Sequence, residues 1–160
     1  MDALDRRILR EVQQDCSLSA AELAERCATT DSTALRRLKR LRRDGVIRAE
    51  VAIVDGDKVG RNLLLFVSVR MEREDDRGHR AFVKRVTAHP DVLQFYFVTG
   101  SIDYLIMLSV ASMEDYDRFL QEHLVVDPLI VMSDTNVVIR PLKMSSALPI
   151  DEPKGSSATG

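Results

Sequence analysis

The chain has 160 residues and a mass of 18.0 kDa, room for one or two small domains and too little for a large enzyme. Apolar residues make up 45%, enough for a real core, and the formal net charge is −2. No apolar run approaches bilayer length, Met1-Asp2-Ala3-Leu4-Asp5 lacks the basic-then-apolar pattern of a secretory signal, and two cysteines, Cys16 and Cys27, are too few for a disulfide framework or a zinc site. A reduced, cytoplasmic protein with no membrane partner is expected.

The first 45 residues read as three short helices. Leu4, Ile8, Leu9 and Val12 recur at helical spacing, and Asp2 and Asp5 suit the positive end of that helix. The second helix opens at Ser19-Ala20-Ala21-Glu22, a capping box in which the two polar side chains satisfy backbone donors reciprocally. Leu23, Ala24 and Cys27 supply its buried stripe, which makes Cys27 a small core residue. The third helix runs from an N-cap at Thr30 to about Arg43, and Gly45 fits the left-handed position that ends it.

Projected at about 100° per residue, the third helix separates into faces. Ala34, Leu35, Leu38 and Leu41 cluster on one side, and Ser32, Thr33, Arg36, Arg40 and Arg43 on the other, with Arg37 and Lys39 flanking. Arg42 falls near the apolar edge, where its stem can lie on the core or its head can pair with an acid. From Arg36 to Arg48 there are seven basic residues against one acid, Asp44, so the near-neutral total conceals a concentrated basic patch. Three short helices, the third presenting hydroxyls first and arginines behind, match a helix-turn-helix unit for double-stranded DNA. On that reading Ser32, Thr33 and Arg36 meet base edges with Arg37 at the border, while Lys39, Arg40 and Arg43 neutralise phosphates.

From Val46 the apolar period shifts toward two, and residues 46–54 are expected to form a strand that completes a first domain, 1–54. A turn-rich linker, 55–61, follows. Beyond it the predicted order is strand (63–71), helix (77–88), strand (92–98), strand (104–111), a helix capped by Ser112, and a strand (130–142). That order is the split βαβ, ferredoxin-like plan over 62–148, so the fold class is α+β, a three-helix helix-turn-helix domain followed by a βαββαβ domain. Residues 149–160 are expected to be a disordered tail. A sheet with helices on one side leaves its other face apolar unless a second subunit covers it, and Leu63, Leu65, Val67 and Val69 alternate along the first strand. A homodimer or larger homo-oligomer is expected.

The loop Thr99-Gly100-Ser101-Ile102-Asp103 joins two strands. Gly100 permits close backbone approach and Asp103 can accept from an α-ammonium group, yet both also suit a plain hairpin turn, which residue chemistry alone favours. Ser133, Asp134, Thr135 and Asn136 make a polar run in the last strand that can be the wet face of an edge. His79, His89 and His123 are scattered without metal-site spacing, His79 and His123 read as exposed helix residues, and neither a phosphate-cradling glycine loop nor a nucleophile elbow is present. No catalytic residue, metal site or cofactor is expected.

Three stretches in this order resemble the Lrp/AsnC transcriptional regulators. They are Leu4-Asp5-Arg6-Arg7-Ile8-Leu9 with Leu18-Ser19-Ala20-Ala21-Glu22-Leu23-Ala24; Ser32-Thr33-Ala34-Leu35-Arg36-Arg37-Leu38-Lys39-Arg40-Leu41 ending in Gly45-Val46-Ile47; and Val98-Thr99-Gly100-Ser101-Ile102-Asp103-Tyr104. The resemblance implies an N-terminal DNA-binding domain and a C-terminal domain that dimerises and senses a small molecule, usually an amino acid. It also implies an effector site at the 100–104 loop, between dimers, with Gly100, Ser101, Asp103 and Tyr104 contributing and Thr135 near the same pocket. Sirohaem decarboxylases resemble the same family and do chemistry on a porphyrin; a haem-type absorbance band would mark that alternative. A DNA-binding architectural protein without an effector is the other, marked by ligand-insensitive binding. The basic third helix points to a regulator.

Overall fold

Three helices open the chain, α1 (Ala3–Gln14), α2 (Ala20–Arg26) and α3 (Asp31–Arg43), in a computed structural model that describes residues 1–72 and 75–151. The first two starts follow from their caps. Asp2 accepts from the Asp5 N–H at 2.9 Å while Asp5 accepts from the Asp2 N–H at 3.0 Å, and Ser19 and Glu22 form the same reciprocal pair. Thr30 holds the N-cap position of α3 without a side-chain cap bond, and its hydroxyl donates to Thr33 Oγ1 at 2.9 Å. At the other end Gly45 takes φ +72°, and the N–H groups of Val46 and Ile47 return to the Leu41 carbonyl. Ile8, Leu9, Leu23, Ala24, Cys27, Ala34, Leu38 and Leu41 bury into one cluster, so Cys27 is core as expected.

The second half supplies β1 (Leu63–Met71), α4 (Asp76–Thr87), β2 (Val92–Phe97), β3 (Tyr104–Val110), α5 (Met113–Leu120) with a π-helical turn (Gln121–Val125), and β4 (Ile130–Val137). The four strands pair antiparallel in the order β2-β3-β1-β4, the ferredoxin-like arrangement of an α+β chain. The register Leu65↔Leu108, Val67↔Ile106 and Val69↔Tyr104 aligns buried residues on one face, where Phe82 and Val86 of α4 and Tyr116 and Phe119 of α5 complete the core. The alternation of Leu65, Val67 and Val69 therefore marks the helix-covered face. The open face is built from the intervening residues, with Leu64, Phe66, Leu105 and Met107 only half-buried and Tyr96 exposed beside them.

The chain divides into two compact units, Met1–Ala52 together with the segment from Lys143, and Ile53–Leu142. Three expectations are corrected here. Residues 46–54 form no strand: Val51, Ile53 and Val54 are exposed, and a strand without a ladder partner is not stable alone. The last strand stops at Val137 instead of 142, because β1 begins at Leu63 and Pro141 has no N–H to donate. The expected tail is ordered at its start: Ile150 packs on the helical core and the Arg6 guanidinium bonds the Asp151 carbonyl, so apolar burial reaches further than a reading of 149–160 as disordered allows. Residues 152–160 lie outside the described residues.

Candidate functional site

On α3 a groove of about 810 Å³ brings together Ser32, Arg36, Arg37, Lys39, Arg40 and Arg43, six of the seven residues predicted to meet DNA. Thr33 is half-buried and its hydroxyl accepts from Thr30. Leu35, expected on the apolar side, is 39% exposed and lines the same groove. The arginines divide by partner. Asp5 is fully buried, and both of its oxygens are taken: Oδ1 by Arg37 Nη1 at 3.2 Å and Oδ2 by Arg40 Nη2 at 2.5 Å. Arg37 also contacts the Asp2 carboxylate. These arginines tie α3 to the start of α1 while still lining the groove. The Asp5 N–H and then Arg37 lower the Asp2 carboxyl to about 2.

Arg36 and Lys39 remain exposed on the outer stripe. Among the described residues Arg43 pairs with its neighbour Asp44 at 2.9 Å, and at 74% side-chain exposure such a pair gives way readily to a stronger anion. Arg42 bonds Glu50 through Nε at 3.0 Å and Nη2 at 2.7 Å, the acid pairing its position suggests. What the stripe offers chemically is a hydroxyl at the helix start, one arginine a turn later, and two further cations behind.

The second unit carries a groove of about 810 Å³ between the first half of α4 and the 97–104 loop. Gly100 lies here at φ +127° with open space where a Cβ would stand, so its backbone conformation and not a tight fit demands glycine. Asp103 is partly committed to the fold: Oδ2 accepts from the Met71 N–H at 2.8 Å, and its own N–H donates to the Val69 carbonyl at 2.9 Å. Tyr104 is buried, and its hydroxyl lies 2.9 Å from His79 Nδ1, whose Nε2 lies 2.8 Å from the Glu72 carbonyl. A carbonyl only accepts, so neutral His79 carries its proton on Nε2 and Tyr104 donates to Nδ1. Burial and the nearby Asp103 charge push the Tyr104 phenol up, which keeps it a donor.

His79 is thus half-buried in a polar chain and not the exposed residue expected; His123 is likewise half-buried, edge to face with His89 at 4.9 Å. Asp76, His79, Arg80 and Val83 reach the groove from one face of α4 by their i, i+3, i+4, i+7 spacing, a signal present in the sequence. Phe97, 75% exposed, forms its opposite wall. Two predicted effector residues stand elsewhere. Ser101 is exposed outside the groove lining, and the Thr135 hydroxyl is bonded to Tyr116 on the helix-covered side of the sheet, where the Val67↔Thr135 register sends it. Among the described residues no group of three His, Cys, Asp or Glu is placed to hold a metal, and no helix is long and apolar enough to cross a membrane.

Comparison with known proteins finds matches to both units of the chain. Residues 1–48 match a winged helix-turn-helix DNA-binding model, and residues 64–148 match the Lrp/AsnC ligand binding domain. The DNA-binding transcriptional activator DecR of Escherichia coli (strain K12) is 35% identical over 94% of this chain and 99% of its own. The glutamate uptake regulatory protein of Zymomonas mobilis is 34% identical over 95% and 92%. Among solved structures, a Neisseria meningitidis transcriptional regulator in complex with L-Met superposes with a TM-score of 0.89 at 28% identity, covering 94% of this chain and 97% of that one. An AsnC family regulator from Agrobacterium tumefaciens gives 0.86 at 32% identity over 93% and 97%.

Proposed function

The chain belongs to the Lrp/AsnC family of DNA-binding transcriptional regulators, and from that premise we propose a cytoplasmic homo-oligomer that reads operator sequence with α3 and answers to an amino acid held against the 97–104 loop. The observation that carries the DNA half is the division of labour on α3, where Arg37 and Arg40 are held by Asp5 while Ser32, Arg36, Lys39 and Arg43 stay outward. Ser32 and Arg36 are the base-reading pair, with Thr33 at the helix start behind them. Lys39 and Arg43 bind phosphate. In this reading Arg40 acts on the fold, and Arg37 aligns the helix.

Arg36→Ala should cost roughly 1–3 kcal/mol on a specific duplex and flatten the preference at one base position, whereas Lys39→Ala should weaken all duplexes alike and reduce the salt slope by about 1. A salt titration of fluorescence anisotropy on specific and scrambled duplexes separates the two. Arg36→Ala leaving affinity and preference unchanged would remove the base-reading role.

For the effector half, the groove offers Asp103 and Asp76 to an ammonium group, Arg80 to a carboxylate, and Val83, Phe97 and Ile102 to an apolar side chain. The L-Met complex of the Neisseria meningitidis regulator supports an amino acid as the ligand class. Asp103→Asn keeps an oxygen for the Met71 N–H but loses the charge, so it should preserve folding and ligand-free DNA binding while weakening an amino acid found by thermal-shift screening about tenfold or more. Equal calorimetric affinities for wild type and Asp103→Asn would place the effector elsewhere and leave this loop a turn. The relatives being named regulators supports binding, not catalysis, as the chain's work.

A further inference from the structure

The outer face of α1 holds a peptide, and the peptide is the chain's own C-terminal segment. Arg6, Arg10 and Gln13 stand at i, i+4 and i+7 and so share one side of the helix. Gln13 bonds Leu148 twice, Nε2 to its carbonyl at 3.1 Å and Oε1 from its N–H at 2.7 Å. Arg10 reaches the Ile150 carbonyl and Arg6 the Asp151 carbonyl, each at 3.0 Å. The segment therefore runs antiparallel to α1, held by bonds from α1 side chains to its backbone, and Ile150 packs against the helical core. The polar contacts are with main chain, so Ile150 is the residue-specific anchor.

We propose that residues 147–151 are a strap that conditions DNA binding, by which the chain returning from β4 takes a second hold on the DNA-binding unit. The chain leaves that unit at Ala52 and re-enters it at Lys143. The strap sits on α1, whose first turn positions α3 through Asp2 and Asp5, so loosening it loosens the alignment of α3 without touching a DNA-facing side chain. This rests on the reading of α3 as the DNA contact. By linkage, if strap docking favours the DNA-competent arrangement, bound DNA must strengthen docking by the same factor.

Hydrogen exchange on the full chain, with and without a mixed-sequence duplex at low salt, tests this in wild type, Gln13→Ala and Ile150→Ser. Amides of α1 in the variants should exchange about five- to tenfold faster while β1 and β3 peptides stay unchanged, and DNA affinity should fall by a similar factor. Duplex DNA should slow exchange at 147–151 in wild type. Unchanged α1 exchange in both variants would overturn the docked strap, and faster α1 exchange with unaltered DNA affinity would overturn its link to DNA. Wild type that protects α1 but binds no duplex would instead count against the DNA reading of α3, since exchange reports the strap independently.

Discussion

Replacing Asp5 with alanine is expected to destabilise the DNA-binding unit by about 2–4 kcal/mol and to leave the sheet unit unchanged. Asp5 does three jobs at once: its carboxylate caps the Asp2 N–H, accepts from Arg37 and accepts from Arg40, all while fully buried. Removing it takes the carboxylate from Arg40 and leaves Arg37 with Asp2 alone. Arg37, 21% exposed, keeps Asp2, and Arg40, 39% exposed, can rehydrate, which keeps the cost below that of a fully buried triad. Thermal unfolding should resolve into two transitions, the one from the helical unit falling by more than about 10 °C. Asp5→Asn, which keeps the shape and one acceptor, should fall less.

The same cluster sets an acid limit. The Asp2 carboxyl sits at about 2 against an ordinary 3.8, so its contribution is complete above pH 3.8 and is lost as the pH falls through about 2. A transition of the helical unit that retreats steadily on acidification between pH 7 and 5 would have to come from other groups.

Phe66→Glu should dissociate the proposed dimer. Phe66 pairs with Met107 at the centre of the open sheet face, with Leu64 and Leu105 around it, and none of these lies in the helix-covered core. A carboxylate placed there is harmless in a lone subunit but would be desolvated by a second copy, costing several kcal/mol at each of two symmetric positions. DNA affinity should then fall by about a hundredfold or more, because two half-sites would be bound independently and not through one linked pair of helices. Light scattering at micromolar concentration should give a dimer or larger for wild type and a monomer for Phe66→Glu, with the thermal transition of the sheet unit nearly unmoved. A wild-type monomer, or a variant that keeps its size, would place the interface elsewhere.

Much of this architecture was legible because local signals and burial agree. The capping box at Ser19, the glycine at the end of α3 and the period-two runs of β1 and β3 each specify one kind of element, and those elements fall within a residue or two of expectation. Legibility failed where one pattern has two physical outcomes. The alternation of Leu63, Leu65, Val67 and Val69 cannot say which face the helices cover. Nor can the apolar run at 46–54 form a strand without a partner to pair with. At the candidate site, the stripe on α3 could be projected from the sequence, but the buried Asp5 could not. A helical wheel shows where Arg37 and Arg40 point and is silent on an acid some 35 residues earlier. The same applies to Thr135, whose partner Tyr116 becomes visible only through the sheet register and the packing of α5. Ala28 at φ +50°, in the turn before α3, had no signal at all, because nothing in an alanine announces a left-handed backbone.

The central claim is that α3 reads sequence in DNA, and selection from a randomised duplex pool tests it most directly. Wild type should enrich a two-fold symmetric sequence bound at least about a thousandfold more tightly than its scrambled counterpart at physiological salt, with the enriched half-sites about one helical turn, or a multiple of it, apart. Equal binding to selected and scrambled duplexes, with a salt dependence accounting for all of the affinity, would contradict it and leave a protein that only coats DNA.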